Sequence, residues 1–306
     1  MTATAAAPRV VFGVPAYNRP EALARTLESL LAQTDRDLAV VIVDDGPSPA
    51  VRAIVDSYAA SDPRVSYEAN PARLGMVANW QRAFARSREL FPSSPYFAWA
   101  SDHDVWHPRW LEALVPALDD DPSIVMAYPH AVRMYPQERR RIDGTFDTAS
   151  DTRPARRLYG SLNGLTAGNA IYGLFRASAL ERAGGFRAVL LPDRLLLSAL
   201  SLLGGFRHVP EMLWYREASR DFSYQRQRDT FFAGRTPLHT YLPADVQHTA
   251  VLAWTFGVRG AGRPAFGRLA GLGYAAAFFW YSLRRERARW RMTLERAAPA
   301  AVGPRS

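Results

Sequence analysis

The sequence contains no cysteine and no lysine. Without cysteine the chain cannot form disulfides, iron–sulfur clusters or thiolate zinc sites, so any bound metal must have oxygen or imidazole ligands. Such ligands favour a hard divalent cation, Mg²⁺ or Mn²⁺. The 38 basic side chains are therefore all arginine, against 29 carboxylates. The resulting net charge of +9 favours partners that carry phosphate or present an anionic surface.

Two kinds of hydrophobic segment are also missing. The start, MTATAAAPRV, has no positive leader before an apolar core, so we expect no secretory signal and a catalytic part in the cytoplasm. The apolar run LAGLGYAAAFFWYSL, which ends at Leu283, is shorter than the roughly 20 residues that span a bilayer. The chain does have 306 residues and 48% hydrophobic content, which is enough for one large or two modest domains.

The first third of the chain alternates between strand and helix patterns. Near-continuous apolar runs at residues 9–16, 38–43 and 96–100 predict strands buried on both faces of a sheet. An apolar stripe after Pro20 predicts a helix. The same reasoning predicts a short strand at residues 65–68 and helices at 50–60, at 74–90 and from Pro108. Because the connecting loops are short, we expect right-handed crossovers and a mostly parallel α/β sheet.

Polar clusters follow three of the predicted strands. They are Tyr17-Asn18, Asp44-Asp45 and Asp102-His103-Asp104. A carboxylate in this position often only caps the next helix, and for any single aspartate that alternative is equally good. Ligands of parallel α/β sheets, however, bind at the carboxyl ends of the strands. Three clusters at one edge therefore favour a binding site.

The last of these clusters, in ASDHDVWHP, predicts a metal site. Two close carboxylates repel a diphosphate, so both can share a site only if a divalent cation bridges them. In an extended segment, residues i and i+2 face one way, so His103 should point away from the metal that Asp102 and Asp104 approach. A triplet of this kind also occurs by chance in surface loops.

These segments together carry a resemblance to a known family. VPAYNRPEALARTLESLLAQT, VVIVDDGPS, RLGMVANWQRAF and the DHD loop with Pro108 resemble, in order and spacing, the inverting family 2 glycosyltransferases over roughly the first 130 residues. The resemblance implies a GT-A fold, which is a Rossmann-like α/β architecture with a mostly parallel sheet flanked by helices, here with a C-terminal helical extension. It also implies a nucleotide-sugar donor and Mn²⁺ or Mg²⁺ as cofactor.

The resemblance also implies roles for individual residues of the first half. Tyr17 would pack against the nucleotide base, with Pro15 and Asn18 beside it, and Asp45 would accept from the base imide N–H. Arg73 would lie near the base or diphosphate, and Asn79 would support its loop. The remaining three are the residues of the DHD loop: Asp102 would bind the ribose hydroxyls, His103 would join the nucleotide-binding residues, and Asp104 would bind the metal.

The second half should supply the acceptor site and the general base. Asp193, in LLPDRLLLSALSLL, stands where the family has its base, although the family's Glu-Asp pair is Pro-Asp here. Inversion needs one carboxylate to take the proton of the attacking hydroxyl. The alternative is that Asp193 only caps its helix. Gly173, in GNAIYG, and Arg176, in FRASAL, are the candidates for contact with the donor sugar or acceptor, because glycine lets the backbone approach a ligand closely.

Two segments leave alternatives open. Residues 129–160 are polar and rich in arginine, and we interpret them either as a loop over the acceptor side or as a solvated insertion. His208, in FRHVPEMLWYRE, would either touch the diphosphate or pack at the end of a strand.

The pattern changes after about residue 220. We expect a catalytic domain at 1–220, with its nucleotide-binding half at about 1–130 and its acceptor half at about 131–220, and a helical region at 221–306 with a disordered tail. The apolar run before RRERARWR suits peripheral binding to the inner face of the cell membrane, and packing on the catalytic domain is the equal alternative.

The function predicted from the sequence is therefore sugar transfer. We expect an inverting, metal-dependent glycosyltransferase that uses a UDP-, dTDP- or GDP-sugar and a hydroxyl of a glycan or lipid-linked acceptor, in cell-surface polysaccharide or glycolipid synthesis. The alternatives are a sugar-nucleotide nucleotidyltransferase and an inactive glycan- or nucleotide-binding homologue. Nucleic acid is not an expected partner, because the arginines are scattered and the acidic clusters would repel a phosphate backbone.

Overall fold

The structure is a computed structural model that describes residues 7–134, 138–142, 146–164, 170–217 and 223–297. Its centre is one nine-stranded sheet with the order β3-β2-β1-β4-β8-β6-β9-β5, in which β7 also pairs with β6. The strands are β1 (Val10–Ala16), β2 (Leu38–Asp44), β3 (Val65–Ala69), β4 (Tyr96–Trp99), β5 (Val105–Trp106), β6 (Ile124–Met134), β7 (Arg139–Ile142), β8 (Leu174–Arg176) and β9 (Gly205–Glu217).

The four strands of the first third pair in parallel. β1 lies between β2 and β4, and β3 extends the group beyond β2. β1 and β2 are buried along their whole length, which explains their uninterrupted apolar sequences. Because these strands are parallel, the segments that follow β1, β2 and β4 emerge at the same edge of the sheet. The predicted α/β class is confirmed.

Helices cover the sheet on both faces. They are α1 (Pro20–Leu31), α2 (Pro49–Ala59), α3 (Met76–Leu90), α4 (Trp110–Asp119), α5 (Pro154–Gly164), α6 (Ala177–Ala183), α7 (Pro192–Leu203), α8 (Tyr224–Phe231), α9 (Ala244–Leu252) and α10 (Arg268–Ala297). A 3₁₀ turn (Leu238–Tyr241) precedes α9, and a π-helical segment (Ala253–Val258) follows it. The helix predicted at 74–90 begins two residues later, because Gly75 has a φ of 89° that no helix can include.

The buried residues form two clusters. One contains Phe12 and Trp110 and joins β1 to α1 and α4. The other is rich in aromatic rings and joins α3 and α7 to the C-terminal helix α10. Within it, Trp99 of β4 stacks on Trp80 of α3 with ring centroids 5.7 Å apart. Part of the C-terminal region therefore shares the core of the sheet.

The prediction for residues 129–160 was wrong in part. Residues 129–134 complete the eleven-residue strand β6, and α5 begins at Pro154. Pro129 fits inside this strand because the pairing with β9 shifts register on both sides of His130. His208 lies early in β9, and its ring is 4.4 Å from that of His130. This ring contact is the packing at a strand that was one of the two alternatives for His208.

None of the described helices combines the length and the apolarity needed to cross a membrane. The predicted disordered tail beyond residue 297 and the glycine of GNAIYG at position 168 lie outside the described residues.

Candidate functional site

The ends of β1 and β4 are joined by a hydrogen bond. The backbone N–H of Tyr17 donates to Asp102 Oδ2 at 2.9 Å. Next to it, Asn18 has a φ of 52°, a left-handed conformation that asparagine tolerates better than most residues. Pro15 and Ala16, the last two residues of β1, are buried, whereas Tyr17 is 44% exposed. The chain thus turns sharply at this edge and leaves the Tyr17 ring accessible.

Asp45 holds the loop that leads into α3. Its Oδ1 accepts the N–H of Leu74 at 2.7 Å, and its Oδ2 accepts the N–H of Gly75 at 2.9 Å. This loop carries Arg73, whose guanidinium lies 4.5 Å from the centre of the Tyr17 ring. Both Asp45 oxygens thus have a backbone donor, and a base imide would have to share or displace one of them.

Asn79 supports the same loop from inside. Its Oδ1 accepts from Asn70 Nδ2 at 2.9 Å, and its Nδ2 donates to the carbonyl of Val43 at 3.0 Å. Asn70 Nδ2 also reaches Asp45 Oδ1 at 3.3 Å. The loop contact that the resemblance implies for Asn79 is present.

Asp44 faces the other side of the sheet edge. Its Oδ2 accepts from the Tyr67 hydroxyl at 3.0 Å, and burial raises the pKa of Asp44. Among the described residues its Oδ1 has no hydrogen-bond partner. The two adjacent acids therefore have different surroundings, and of the two carboxylates it is that of Asp45 that accepts N–H groups next to Arg73.

The DHD loop divides its two carboxylates between different partners. Asp102 Oδ1 accepts from Nδ1 of His103 at 2.7 Å. Burial by itself would lower the pKa of His103, but this hydrogen bond and the charges of Asp104 and Asp102 raise it. Together with Arg25 and Tyr215, His103 lines a cavity of ≈ 500 Å³.

Asp104 is buried, and only one of its two carboxylate oxygens accepts a hydrogen bond from the described residues. It is 1% exposed, its backbone carbonyl accepts from the Thr26 hydroxyl at 2.8 Å, and its Oδ1 accepts the N–H of Glu217 at 2.9 Å. Its Oδ2 has no hydrogen-bond partner among the described residues. Burial raises the pKa of Asp104, and the charge of His103 offsets part of this rise. The Ser101 hydroxyl also lies close enough to lower the pKa, although it makes no hydrogen bond of normal geometry.

A buried carboxylate oxygen without a donor fits a hard cation, which takes oxygen ligands. In the described part of the chain, no three His, Asp or Glu side chains are grouped closely enough to hold a metal ion. A cation at Asp104 would therefore need ligands besides the carboxylates and imidazoles of the described residues, such as substrate oxygens and water.

Asp193 lies in the first turn of α7 behind an unusual turn. Leu191, which precedes Pro192, has a left-handed φ of 51°, and the Asp193 Oδ1 accepts the N–H of the next residue, Arg194, at 2.9 Å. The residue at the cap position is Leu191, so Asp193 is not the helix cap. Burial raises the pKa of Asp193, while the backbone N–H groups and the charges of Arg216 and Arg194 oppose that shift.

Tyr172 connects the two halves of the site. Burial raises its pKa, and the charges of Asp104, Asp102 and Asp193 raise it further, while Arg216 opposes them. Its ring centroid is 4.7 Å from that of Trp214 and 5.5 Å from that of Trp80. The tyrosine therefore lies within electrostatic reach of all three acids.

Sequence reasoning missed both Tyr172 and Arg216. Tyr172 is part of GNAIYG, where attention went to the glycines, and Arg216 is part of WYRE, where it went to His208. The signal that could have found them is their position, because Tyr172 stands just before β8, which starts at the edge with the acids, and Arg216 stands at the end of β9, which runs toward that edge. Arg216 reaches the cluster because β5 pairs with the end of β9, with Val105 opposite Tyr215.

The C-terminal helices hold the turn that carries Asp193. The Gln247 side chain accepts the N–H of Leu190 at 3.1 Å, and His248 Nε2 donates to the Leu190 carbonyl at 2.7 Å. Arg194 donates to Asp245 at 2.7 Å and to the Ser282 hydroxyl at 2.8 Å. The region after residue 220 is thus bonded to the candidate base.

His248 makes the stability of this support dependent on pH. Burial lowers its pKa to about 4 from a usual 6.5, with the charge of Arg194 adding to the shift and that of Asp245 opposing it. Between these values the unfolded chain binds a proton that the folded chain does not, so stability falls as the pH is lowered from 6.5. We expect His248→Gln, which keeps an N–H donor for Leu190, to remove on the order of 3 kcal/mol of this loss.

The measurement is the free energy of unfolding at several pH values between 7 and about 4. Raised carboxylate pKa values stabilise the folded state in acid, but they do so in both proteins and cancel in the comparison. His239→Gln is the matched control, since His239 is exposed and also bonds a carbonyl, that of Ala188, at 2.6 Å. Parallel pH profiles for His248→Gln and the parent would contradict this role.

The structure does not support a sugar or acceptor contact for Arg176 or Gly173. Arg176 lies away from the acids, and Gly173 is required by strand packing. Arg176 pairs with Tyr96, the first residue of β4, and its guanidinium donates to the carbonyls of Leu118 and Ile124. It is thus at the opposite end of β4 from Asp102, and the structure does not bring it to the cluster. A Cβ on Gly173 would lie 2.6 Å from the Ala127 carbonyl, so strand packing already requires that glycine.

The chain is similar to known proteins in sequence. The sequence model of the family described as Glycosyl transferase family 2 matches residues 12–181. An uncharacterized glycosyltransferase of Haemophilus influenzae is 25% identical over 117 residues, which are 38% of this chain and 35% of that protein. Protein CgeD of Bacillus subtilis is 25% identical over 126 residues, which are 40% of this chain and 29% of CgeD. The matched segments thus span about a third of these curated relatives.

The fold is similar to two solved structures. Residues 1–349 of S. aureus TarS, in complex with UDP-GlcNAc, superpose with a TM-score of 0.61 at 14% identity, covering 88% of this chain and 71% of that one. The mannosyltransferase PcManGT of Pyrobaculum calidifontis, in complex with GDP-Man and Mn²⁺, gives a TM-score of 0.53 at 16% identity, covering 90% and 74%. At these identities the likeness concerns the fold alone.

Proposed function

Because this chain belongs to glycosyltransferase family 2, whose model matches more than half of it, we propose that it is an inverting, metal-dependent glycosyltransferase. Membership makes it a transferase of sugars and favours this class over the nucleotidyltransferase alternative. The donor we propose is a nucleoside diphosphate sugar, with UDP ahead of dTDP and GDP. TarS complexed with UDP-GlcNAc and PcManGT complexed with GDP-Man and Mn²⁺ support this donor class.

The observation that carries the proposal is the unpaired oxygen of Asp104 at the edge where the three polar clusters meet. Asp104 and the donor diphosphate would together hold Mn²⁺ or Mg²⁺, which accounts for the lack of a complete ligand set in the described chain. When bound, the cation would neutralise charge on the departing diphosphate.

The nucleotide would lie between β1 and the Arg73 loop. The accessible ring of Tyr17 offers a face for the base, and Arg73 lies over that ring at 4.5 Å. Asp102 would bind the ribose hydroxyls, and its fixed hydrogen bond to the Tyr17 N–H would orient it. Asp45 holds the loop whose position sets the width of this cleft.

Asp193 would take the proton of the acceptor hydroxyl. Its raised pKa makes its carboxylate a stronger base than an exposed aspartate, provided the site works above that pKa. Its Oδ1 accepts the N–H of Arg194, which orients the carboxylate. We propose a hydroxyl of a glycan or lipid-linked acceptor as the nucleophile, in cell-envelope polysaccharide or glycolipid synthesis on the cytoplasmic face of the membrane.

The test is a thermal-shift panel of UDP, dTDP, GDP, CDP and ADP, each with and without Mn²⁺. A ligand that binds only the folded state raises its stability, and saturation at a hundredfold over Kd should raise Tm by about 4 °C for a chain of this length. We expect a shift with one nucleotide that requires Mn²⁺. A shift of equal size without metal would remove the metal from the proposal, and no shift with any nucleotide would favour an inactive homologue.

A further inference from the structure

The outer side of α10 is an exposed apolar face. Leu269, Leu272 and Trp280 are 85%, 45% and 52% exposed. At 3.6 residues per turn these three positions fall within roughly a third of the helix circumference. Gly273 and Ala276 lie between them on the same side and are also exposed. We call these five residues the α10 face.

The inner side of the same helix is buried. Ala275, Phe278 and Ser282 face the protein, and Phe278 packs with a ring distance of 5.8 Å against His248. Leu272 lies at the border, because its side chain contacts the position of Gly257 in the π-helical segment. Apolar residues thus cover both sides of α10, although a helix on a protein surface normally presents polar residues to solvent.

The segment of the chain that carries the α10 face has charge of one sign. Residues 246–285 contain no aspartate or glutamate, and they contain five arginines. Arg268 stands directly before Leu269, and Arg284 lies with its guanidinium 5.2 Å from the Trp280 ring. Both arginines are exposed. An apolar face with cations at its two ends matches the structure of an anionic lipid surface, in which charged headgroups lie above an apolar interior.

We propose that the α10 face docks on an anionic lipid surface, with α10 lying parallel to it. Leu269, Leu272 and Trp280 would enter the boundary between headgroups and acyl chains, where the tryptophan N–H can stay hydrated. Arg268 and Arg284 would contact lipid phosphates. A second copy of the chain fits less well, because a symmetric contact would bring arginines at the ends of one face toward those of the other.

This docking would connect the membrane to the transfer site through one helix. Ser282, on the inner side of α10, accepts from Arg194, which is the neighbour of Asp193 in the first turn of α7. If the chain transfers sugar as proposed, the candidate base is held by the element that meets the lipid. That consequence rests on the proposed function, but the docking itself does not.

The test is co-sedimentation of the full chain with lipid vesicles in the absence of nucleotide. The vesicles consist of phosphatidylcholine alone or of phosphatidylcholine mixed with phosphatidylglycerol. We expect binding to the mixed vesicles only. The double variant L269S/W280S should lower the partition coefficient by about tenfold or more, and R268Q/R284Q by about fivefold per arginine, with the second effect vanishing in high salt.

Controls separate docking from folding and from general adhesion. All four substituted side chains are at the surface, so the thermal unfolding of both variants should match that of the parent. Leu238→Ser, in the 3₁₀ turn before α9, is the matched control, since Leu238 is 86% exposed, and it should bind like the parent. Nucleotide binding is measured separately, so failure of the donor site and failure of docking give different results.

Three outcomes would overturn the proposal. They are absence of sedimentation with the mixed vesicles, equal sedimentation of L269S/W280S and the parent, and a dimer of the parent without lipid that L269S/W280S converts to monomer. The last outcome would identify the α10 face as an interface between two copies of the chain.

Discussion

Asp104→Asn is expected to abolish Mn²⁺-dependent nucleotide binding and to lower sugar transfer by at least about a thousandfold. The substitution keeps an oxygen that can accept the N–H of Glu217, but it removes the negative charge and offers an amide where the unpaired Oδ2 stands. Because burial already disfavours the charge at this position, we expect the fold to be at least as stable as the parent. The measurement is nucleotide titration with and without Mn²⁺, followed by the rate of transfer.

The comparison needs a carboxylate that lies away from the cluster. Asp120→Asn at the end of α4 changes an exposed aspartate in the same way and should leave titration and transfer unchanged. Metal-dependent titration curves that coincide for Asp104→Asn and the parent would remove Asp104 from the metal site. A fall in Tm for Asp104→Asn would indicate a structural role instead.

Asp193→Asn is expected to leave nucleotide binding intact and to lower the rate of transfer by about a hundredfold to ten-thousandfold. Asparagine has nearly the same shape and can still accept the N–H of Arg194, so the start of α7 should stay in place. What it cannot do is take a proton from an attacking hydroxyl. The effect should therefore appear in kcat, with the Kd for nucleotide and the Tm unchanged.

The pH dependence of transfer provides a second measurement at Asp193. Its raised pKa predicts that the parent loses activity as the pH falls through that value, because only the ionised carboxylate can act as base. Activity of Asp193→Asn equal to that of the parent would show that another group is the base.

The strands of the first third and the edge at which the polar clusters gather could be predicted from the sequence. The apolar runs of β1, β2 and β4 and the helix patterns between them are local, and parallel pairing follows from their alternation. Asp45 and Asp102 could be assigned to one edge for this reason. Their contacts with the Arg73 loop and with Tyr17 could not, because they depend on which atoms of that edge face each other.

Contacts between distant parts of the chain were beyond local patterns. Asp104 meets Glu217 across 113 residues because two residues, Val105 and Trp106, pair with the end of β9. So short a strand has no periodicity that a sequence can reveal. The same pairing brings Arg216 toward the acids, whereas His208 lies earlier in β9 and packs on His130.

The sequence by itself determined the fold class, the family and the edge of the sheet where the acids lie, because those properties depend on residue types at short spacing. Only the tertiary structure decided how the oxygens of each acid are paired. Both Asp45 oxygens accept loop N–H groups, whereas one Asp104 oxygen has none in the described chain. It also decided that the C-terminal helices hold the Asp193 turn, since a hydrogen bond from His248 to Leu190 depends on packing between elements and leaves no trace in either segment alone.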